Sequence, residues 1–335
     1  MRHMKKATAT VLTSLMIFIS QPLLADVQQS LSQLKQEAIN SHSDSLLVIH
    51  NGEVLAEHYT DGGLYPIELM SAFKSVVSLA VGRLISQGKI KSLDQPVFDF
   101  YPQWKQGRKQ LITIRHLLNH TSGLQNVANA GEEIYPSPDA IKLALAAELT
   151  TEPGAAFSYN NKATNLLAGI VQQASGLRLD QYLVAEFFTP MGIEHYKFYY
   201  DRSGNPHGMA GLQLLAADFA KFGTLVLNNG RWHDEQLVSA DYISDMLAAG
   251  QVFNEHCGLL WWRMPRTNNQ PDAFYADGFL GQYLVIVPEK GVVAVRQIKR
   301  TDSYRQDTDL FAEFRTLVAQ LAAELPVTST PEKQP

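Results

Sequence analysis

Ser71-Ala-Phe-Lys74 places a hydroxyl and an amine three positions apart, which on a helix sets them on one face about a turn from each other. An amine so placed can take the proton of the hydroxyl as that oxygen attacks a carbonyl carbon. The same spacing occurs in Ser32-Gln-Leu-Lys35 and Ser86-Gln-Gly-Lys89, so position must discriminate among the three. Ser32 falls inside a surface helix and Ser86 at a helix's C-terminal end. Ser71 falls where a helix begins, and there the dipole and the free N–H groups favour a developing oxyanion. The competing reading is that Ser71 only caps that helix. A lysine base must be uncharged, yet its free pKa of about 10.4 keeps it protonated at neutral pH. Lowering that value by roughly three units costs about 4 kcal/mol, which burial can supply. Phe73, Val76 and Val77 around Lys74 suit such burial, although a lysine can also reach past apolar neighbours to water.

Two further stretches carry chemistry. Tyr159-Asn160-Asn161 precedes a helix: a tyrosine hydroxyl there can relay protons to a leaving group, while the Asn161 amide orients Lys74 or a substrate carbonyl. Ser158-Tyr-Asn160 makes an equally good Ser-x-Asn, so the frame stays open, as does an ordinary helix-entry loop. Ala276-Asp277-Gly278-Phe279-Leu280-Gly281 joins two strand-like runs with glycines where backbone can approach a ligand closely. An N–H in it can share an oxyanion with that of Ser71; a plain hairpin turn fits as well.

Other chemistries lack their residues. No Gly-x-Ser-x-Gly is present. His116-Leu-Leu-Asn-His120 has the spacing of a zinc-protease helix, but Leu117 stands where the glutamate is required. No glycine-rich phosphate loop occurs, and no metal or organic cofactor is expected. Cys257 is the only cysteine, which excludes an internal disulfide and reads as a small buried apolar residue. With 33 acidic against 28 basic residues and no Lys/Arg block, the chain repels nucleic acid.

The elements that must hold these groups follow from periodicity. Val27, Leu31, Leu34 and Ala38 mark a helix over 27–40. Leu46–His50 and Val54–Tyr59 form a hairpin through Asn51-Gly52, which tolerates left-handed backbone angles. A helix is predicted from Ser71 to Gln87, ended by Gly88. Helices are also predicted over Pro138–Glu148, Lys162–Ala174 and Gln213–Leu227. Strand character returns in Gly258–Arg263, Ala273–Ala276, Gln282–Val287 and Val292–Ile298, and a helix closes the chain from about Asp307 to Glu324. Such an order assembles a sheet from both ends of the chain, with a helical insertion between.

Residues 1–25 carry Arg2, Lys5 and Lys6, an apolar run from Val11 to Leu24 and Ala25 before Asp26. The run is shorter than the roughly 20 residues that span a bilayer. It reads as an export signal cleaved near Ala25, which places the mature chain in the periplasm or outside the cell, without stable membrane insertion. Its loss makes the remainder three charges more negative than the formal −5 of the whole. A catalytic domain is expected over 26–325. Within it, 26–95 and 250–325 form a sheet subdomain and 96–249 a helical one, and 326–335 is a disordered tail.

Together, SAFK, KSVVSLAVGRLISQGKIKSLDQPV, LITIRHLLNHTSGL, PGAAFSYNNKATNLLAGIVQQASG, GMAGLQLLAADFAKFGTLVLNNGRW and DGFLGQYLVIVPEKG resemble the serine beta-lactamase and penicillin-binding-protein superfamily across nearly the whole chain after residue 25. The likeness is to its class C enzymes, D-alanyl-D-alanine carboxypeptidases and related esterases. It implies an α+β fold: a five-stranded antiparallel sheet flanked by helices, beside a helical subdomain, with the site between them. It implies Ser71 as acylated nucleophile, Lys74 as its base, Tyr159 as general acid/base aided by Asn161, and the Phe279 N–H after Gly278 as second oxyanion donor. The family's third motif usually carries a cation before its glycine, to hold a substrate carboxylate. Ala276-Asp277 lacks that cation and is expected to repel such an anion. The resemblance therefore points to esterase and short-amide hydrolase relatives, including the 6-aminohexanoate-oligomer type, acting on small esters, amides or peptides. A cell-wall carboxypeptidase or beta-lactamase is the alternative within the family, and a noncatalytic peptide- or lactam-binding module the alternative outside it. Trp261, Trp262, Phe279 and Tyr283 are candidates for an acyl pocket, each with core packing as the competing role.

Overall fold

The computed structural model describes residues 21–265, 270–300 and 308–327. The export signal read over 1–25 falls mainly on residues outside this range, as does most of the 326–335 tail. Among the described residues no helix is long and apolar enough to cross a membrane.

Strands occur in chain order as β1 (Ser45–His50), β2 (Glu53–Tyr59), β3 (Ile67–Glu68), β4 (Tyr196–Phe198), β5 (Leu212–Leu214), β6 (Arg231–Trp232), β7 (Glu235–Gln236), β8 (Trp262–Arg263), β9 (Phe274–Gly278), β10 (Gln282–Val287) and β11 (Val292–Gln297). Six of them form one antiparallel sheet in the order β2-β1-β11-β10-β9-β8. The fold is the α+β arrangement the sequence implies, with six strands in place of five. The extra one, β8, is a two-residue edge paired to β9 through Trp262 and Tyr275. Because β1 pairs with β11 from Ser45↔Gln297 to His50↔Val292, the two ends of the chain meet in the middle of the sheet. Asn51 and Gly52 take positive φ values of 51° and 85°, as the hairpin between β1 and β2 requires.

Period-two alternation divides the two faces of this sheet. Ala276, Leu284, Ile286, Val293 and Val295 join the larger core. That core packs against the helices Phe73–Ser86 and Ala216–Leu227. Tyr275, Tyr283, Val285, Val287 and Val292 face a second core, closed by the helices Gln21–Asn40 and Phe314–Glu324. The first of these helices buries Val27, Leu31, Leu34 and Ala38, the stripe read from its spacing.

A small sheet in the order β3-β5-β4 was not foreseen. Gln213 and Leu214, expected at the start of a helix, instead belong to β5: Leu212 and Leu214 are buried while Gln213 between them is half-buried, a period of two, and the helix begins only at Ala216. The closing helix likewise starts at Phe314. Two other helices match their sequence signals closely. Asn161–Ser175 is capped by the Asn160 side chain, which accepts from the Ala163 N–H at 2.9 Å, and ends at Gly176 in the left-handed region. Phe73–Ser86 ends two residues before Gly88 but begins differently, with a tight 3₁₀ turn over Met70–Ala72.

Candidate active site

Ser71 sits in that 3₁₀ turn, and the residue before it, Met70, has φ +49°, an unusual angle for a side chain with a Cβ. The left-handed step turns the chain from Leu69, whose N–H is bound to the Leu212 carbonyl at 2.9 Å, into the helix. It leaves Ser71 at the helix mouth, half-buried. Gly278, at the end of β9, is pressed against the same turn: a Cβ on it would lie 2.3 Å from the Leu69 carbonyl oxygen and 3.1 Å from the Ala72 nitrogen. Only glycine lets the two backbones come this close, and the Phe279 peptide follows directly on the contact. The sequence brought Gly278 and Phe279 forward as possible oxyanion residues; the structure places them beside Ser71.

Lys74 lies one turn further on, and its Nζ donates to Ser71 Oγ at 2.9 Å and to the Met209 carbonyl at 2.8 Å. It is 3% exposed. Burial lowers its pKa from 10.5 to about 7, so that near neutrality a large share of the amine is uncharged and can accept the Ser71 proton. Met209 was not among the residues the sequence singled out, since a backbone carbonyl 135 positions away leaves no local trace. The segment that carries it is pinned by the Gly208 N–H, which donates to Asn165 Oδ1 at 2.8 Å.

Tyr159 closes the trio. Lys74 Nζ is 5.0 Å from its ring centroid. Burial pushes the phenol pKa up to about 12; a hydrogen bond with Ser71 opposes this rise, and the charge of Asp277 adds to it. The group is therefore a neutral phenol near pH 7, able to donate a proton and linked to Ser71. Trp262 stacks on the Tyr159 ring at 6.3 Å. On the other side lies His120, buried, with ring centroids 4.6 Å apart. His120 adopts φ +60°, and its Nδ1 accepts the Asn160 N–H at 3.1 Å, which leaves its ring proton on Nε2. Burial first, and the nearby Lys74 second, lower its pKa to about 3, so it adds no charge to the site. His116 does not converge with it: its Nδ1 accepts the Thr113 N–H at 3.2 Å.

Asn161 stands in the first turn of its helix, held through Asn126, which accepts the Asn161 N–H at 3.2 Å and donates to the Tyr159 carbonyl at the same distance. Asn126 thus locks the Tyr-x-Asn turn, another contact that spacing alone could not reveal. Lys74 is oriented by Met209 rather than by Asn161, whose Oδ1 is buried and has no hydrogen-bond partner.

The third motif needs correction. Ala276 and Gly278 face the site, whereas Asp277 lies on the opposite face of β9, among Tyr275, Tyr283 and Arg315, with 3.6 Å between its Oδ2 and Arg315 Nη1. Burial raises its pKa to about 6, against the pull of Arg315. The Asp277 side chain therefore does not project into the cleft as expected, and its charge reaches the site only at a distance, where it adds to the rise in the Tyr159 pKa. What the site face of β9 presents is Ala276, neutral and 0% exposed. Of the four aromatic candidates, Trp262 and Phe279 border the site, the latter 43% exposed; Trp261 is core, donating to the Ser75 carbonyl at 3.2 Å, and Tyr283 packs on the far side of the sheet. Burial raises the Cys257 thiol pKa to about 12, which leaves it unreactive. No cluster of three or more metal-ligating side chains occurs among the described residues.

The family profile described as Beta-lactamase matches residues 31–314. The chain is 25% identical over 240 residues to the 6-aminohexanoate-dimer hydrolase of Paenarthrobacter ureafaciens, a match that takes in 66% of this chain and 61% of that protein. It is 27% identical over 199 residues to PbpX of Bacillus subtilis (strain 168), covering 56% of this chain and 49% of PbpX. It therefore spans only about half to three-fifths of these curated relatives. Among solved structures, a penicillin-binding-protein homologue from Caulobacter crescentus superposes with a TM-score of 0.70 at 18% identity, over 90% of this chain and 98% of that one.

Proposed function

The chain belongs to the beta-lactamase family, and from that premise we propose that it is an exported serine hydrolase that forms an acyl-enzyme on Ser71 and cleaves esters or short amides. The observation that carries this reading is the 2.9 Å contact between Ser71 Oγ and a buried amine whose pKa is about 7.

Acylation proceeds as Lys74 Nζ takes the Ser71 proton and Oγ bonds to the substrate carbonyl carbon. The oxygen of that carbonyl, now anionic, receives the N–H groups of Ser71 and Phe279, each such donor being worth about a hundred- to a thousandfold in rate. Tyr159 gives its proton to the departing alcohol or amine, and the proton that Lys74 took from Ser71 replaces it. Water then attacks the acyl-enzyme, with Lys74 taking the water proton and Tyr159 protonating Ser71 Oγ as the acid departs, and return of a proton from Lys74 to Tyr159 resets the site. Asn161 Oδ1, an acceptor without a partner, suits the N–H of an amide substrate. Similarity to a 6-aminohexanoate-dimer hydrolase supports short amides, and Ala276 in place of a cation argues against the family's usual carboxylate contact on β9.

Mass analysis after treatment with a fluorophosphonate tests the nucleophile: an adduct is expected on Ser71 and none on Ser71→Ala. An unlabelled wild-type enzyme would favour a noncatalytic binding module. Turnover of a chromogenic acetate ester without turnover of a chromogenic cephalosporin is expected, and the reverse would favour a beta-lactamase. N-terminal sequencing of secreted or periplasmic protein tests export, with the first residue expected at or near Asp26.

A further inference from the structure

The turn that carries the Phe279 N–H is gripped from the far side of the sheet. Arg296 lies on β11 opposite Tyr283 of β10, and the period of two gives it the face of Val292 and Ala294, which looks into the second core. It is 0% exposed. A guanidinium is unfavourable in such surroundings unless its donors and its charge are met, and much of what meets them here is the turn itself. Nη1 donates to the Leu280 carbonyl at 2.5 Å and to the Gly281 carbonyl at 2.9 Å. Nε donates to Ser43 Oγ at 2.8 Å, and Asp309 Oδ1 stands 3.6 Å from Nη1. Asp309 is held in turn, accepting from the Tyr283 hydroxyl at 2.5 Å and from the Phe311 N–H at 2.9 Å.

The conformation of the turn calls for such a grip. The Gly281 N–H closes it by donating to the Gly278 carbonyl at 2.9 Å, and its third residue, Leu280, has φ +68°, a region unfavourable for a residue with a Cβ. Backbone of this kind persists where its neighbours fix it. Gly281 touches the group that does so: a Cβ on it would lie 2.5 Å from Arg296 Nη1 and 2.3 Å from Asp309 Oδ1. By accepting from a cation on the far face, the Leu280 and Gly281 carbonyls are drawn away from the cleft, where their oxygens would repel the anion forming at Ser71. At the other end of the turn Gly278 is pressed on Leu69 and Ala72. The Phe279 peptide is thus fixed on the cleft side by the nucleophile's own turn and on the far side by Arg296.

We propose that Arg296 is a positioning residue for the reaction: without touching substrate, it holds residues 278–281 in the shape that presents the Phe279 N–H to the oxyanion. The inference rests on the hydrolase reading above and adds to it a residue on the opposite face of the sheet.

The test measures kcat and KM for p-nitrophenyl acetate, per site titrated at Ser71 by a fluorophosphonate, in wild type, Arg296→Lys and Arg296→Met, with folding followed by near-UV circular dichroism. Methionine fills space without donors, whereas lysine keeps the charge and a donor. Per site, kcat should fall about a hundredfold in Arg296→Met, as for the loss of an oxyanion donor, and about tenfold in Arg296→Lys. KM should stay within about twofold, since the contact acts in the transition state, and the inflection near pH 7 that belongs to Lys74 should not move. A wild-type kcat in either folded variant, a methionine variant as fast as the lysine one, or a displaced inflection would overturn the proposal. Because a change at a buried cation can prevent folding, Ser43→Ala, which removes only the acceptor of Nε, gives a second reading: kcat per site should fall about threefold or more at unchanged KM, and a wild-type value would count against Arg296 equally. Wild-type protein that takes no fluorophosphonate would instead overturn the hydrolase reading on which the inference rests.

Discussion

Titrating Lys74 is the most direct trial of the mechanism. Burial moves its pKa from 10.5 to about 7, and at roughly 1.4 kcal/mol per unit the site spends about 5 kcal/mol on keeping this amine neutral. At pH 7 about half of the amine is then free base, against about one part in three thousand for a solvated lysine, an advantage of some three orders of magnitude. Below pH 7 the amine is protonated and cannot take the Ser71 proton, so kcat/KM for a p-nitrophenyl ester, corrected for spontaneous hydrolysis, should climb about tenfold per pH unit up to pH 7 and then level off. Tyr159, with its pKa near 12, remains a proton donor across that plateau. Lys74→Arg, which cannot lose its proton, should be slower by about a thousandfold and show no inflection near 7. A rate that is level from pH 5 to 9, or an inflection near 10 in the parent enzyme, would refute the assignment of Lys74 as base.

Three further outcomes follow from the same geometry. The unfolded chain holds a proton on Lys74 up to about pH 10.5 while the folded chain releases it near 7, so stability due to this residue rises with pH between those values; Lys74→Met should unfold at higher denaturant than wild type at pH 6, with the gain shrinking towards pH 10. Tyr159→Phe should lose about a hundred- to ten-thousandfold in kcat, measured by stopped-flow or steady-state ester hydrolysis, while Ser71 still takes a fluorophosphonate slowly. Gly278→Ala drives a methyl group to 2.3 Å from a backbone oxygen that cannot rotate away; a loss of about 1–3 kcal/mol in urea unfolding and a fall in kcat should come together.

What could be read from the sequence was local. The Asn51-Gly52 turn, the stripe on the first helix, the helix that follows Tyr159-Asn160-Asn161 and the strands at 282–287 and 292–297 each depend on neighbours within a few residues, and their sequence signals were sufficient. Ser71 and Lys74 are one helical turn apart, so their contact too was accessible. Residues joined through space were not. Met209 binds Lys74 from 135 positions away, Asn126 secures the turn at 159–161 from more than thirty, and His120 reaches Tyr159 across a similar gap. The direction of the Asp277 side chain was not legible, because motif alignment fixes a position in the chain but not the parity of the strand, and one step along β9 exchanges the cleft for the far core. Gln213 and Leu214 of β5 were read as helix because Leu214 and Leu215 fit either period over so short a run.

Pairing the first strand with the last also bears on when activity can appear. Ser71 is made early in synthesis, but its neighbour Gly278 and the strand that buttresses β1 are made late. A nascent polypeptide that stops before residue 278 has neither a partner for the inner side of β1 nor the Gly278 backbone, so its hydroxyl and amine lack the wall that excludes water and positions an oxyanion. Contacts of such long sequence separation form slowly, since loop closure precedes any energetic return. Ripening of the enzyme is thus tied to completion of its C-terminal region, and an interrupted translation product should be chemically silent.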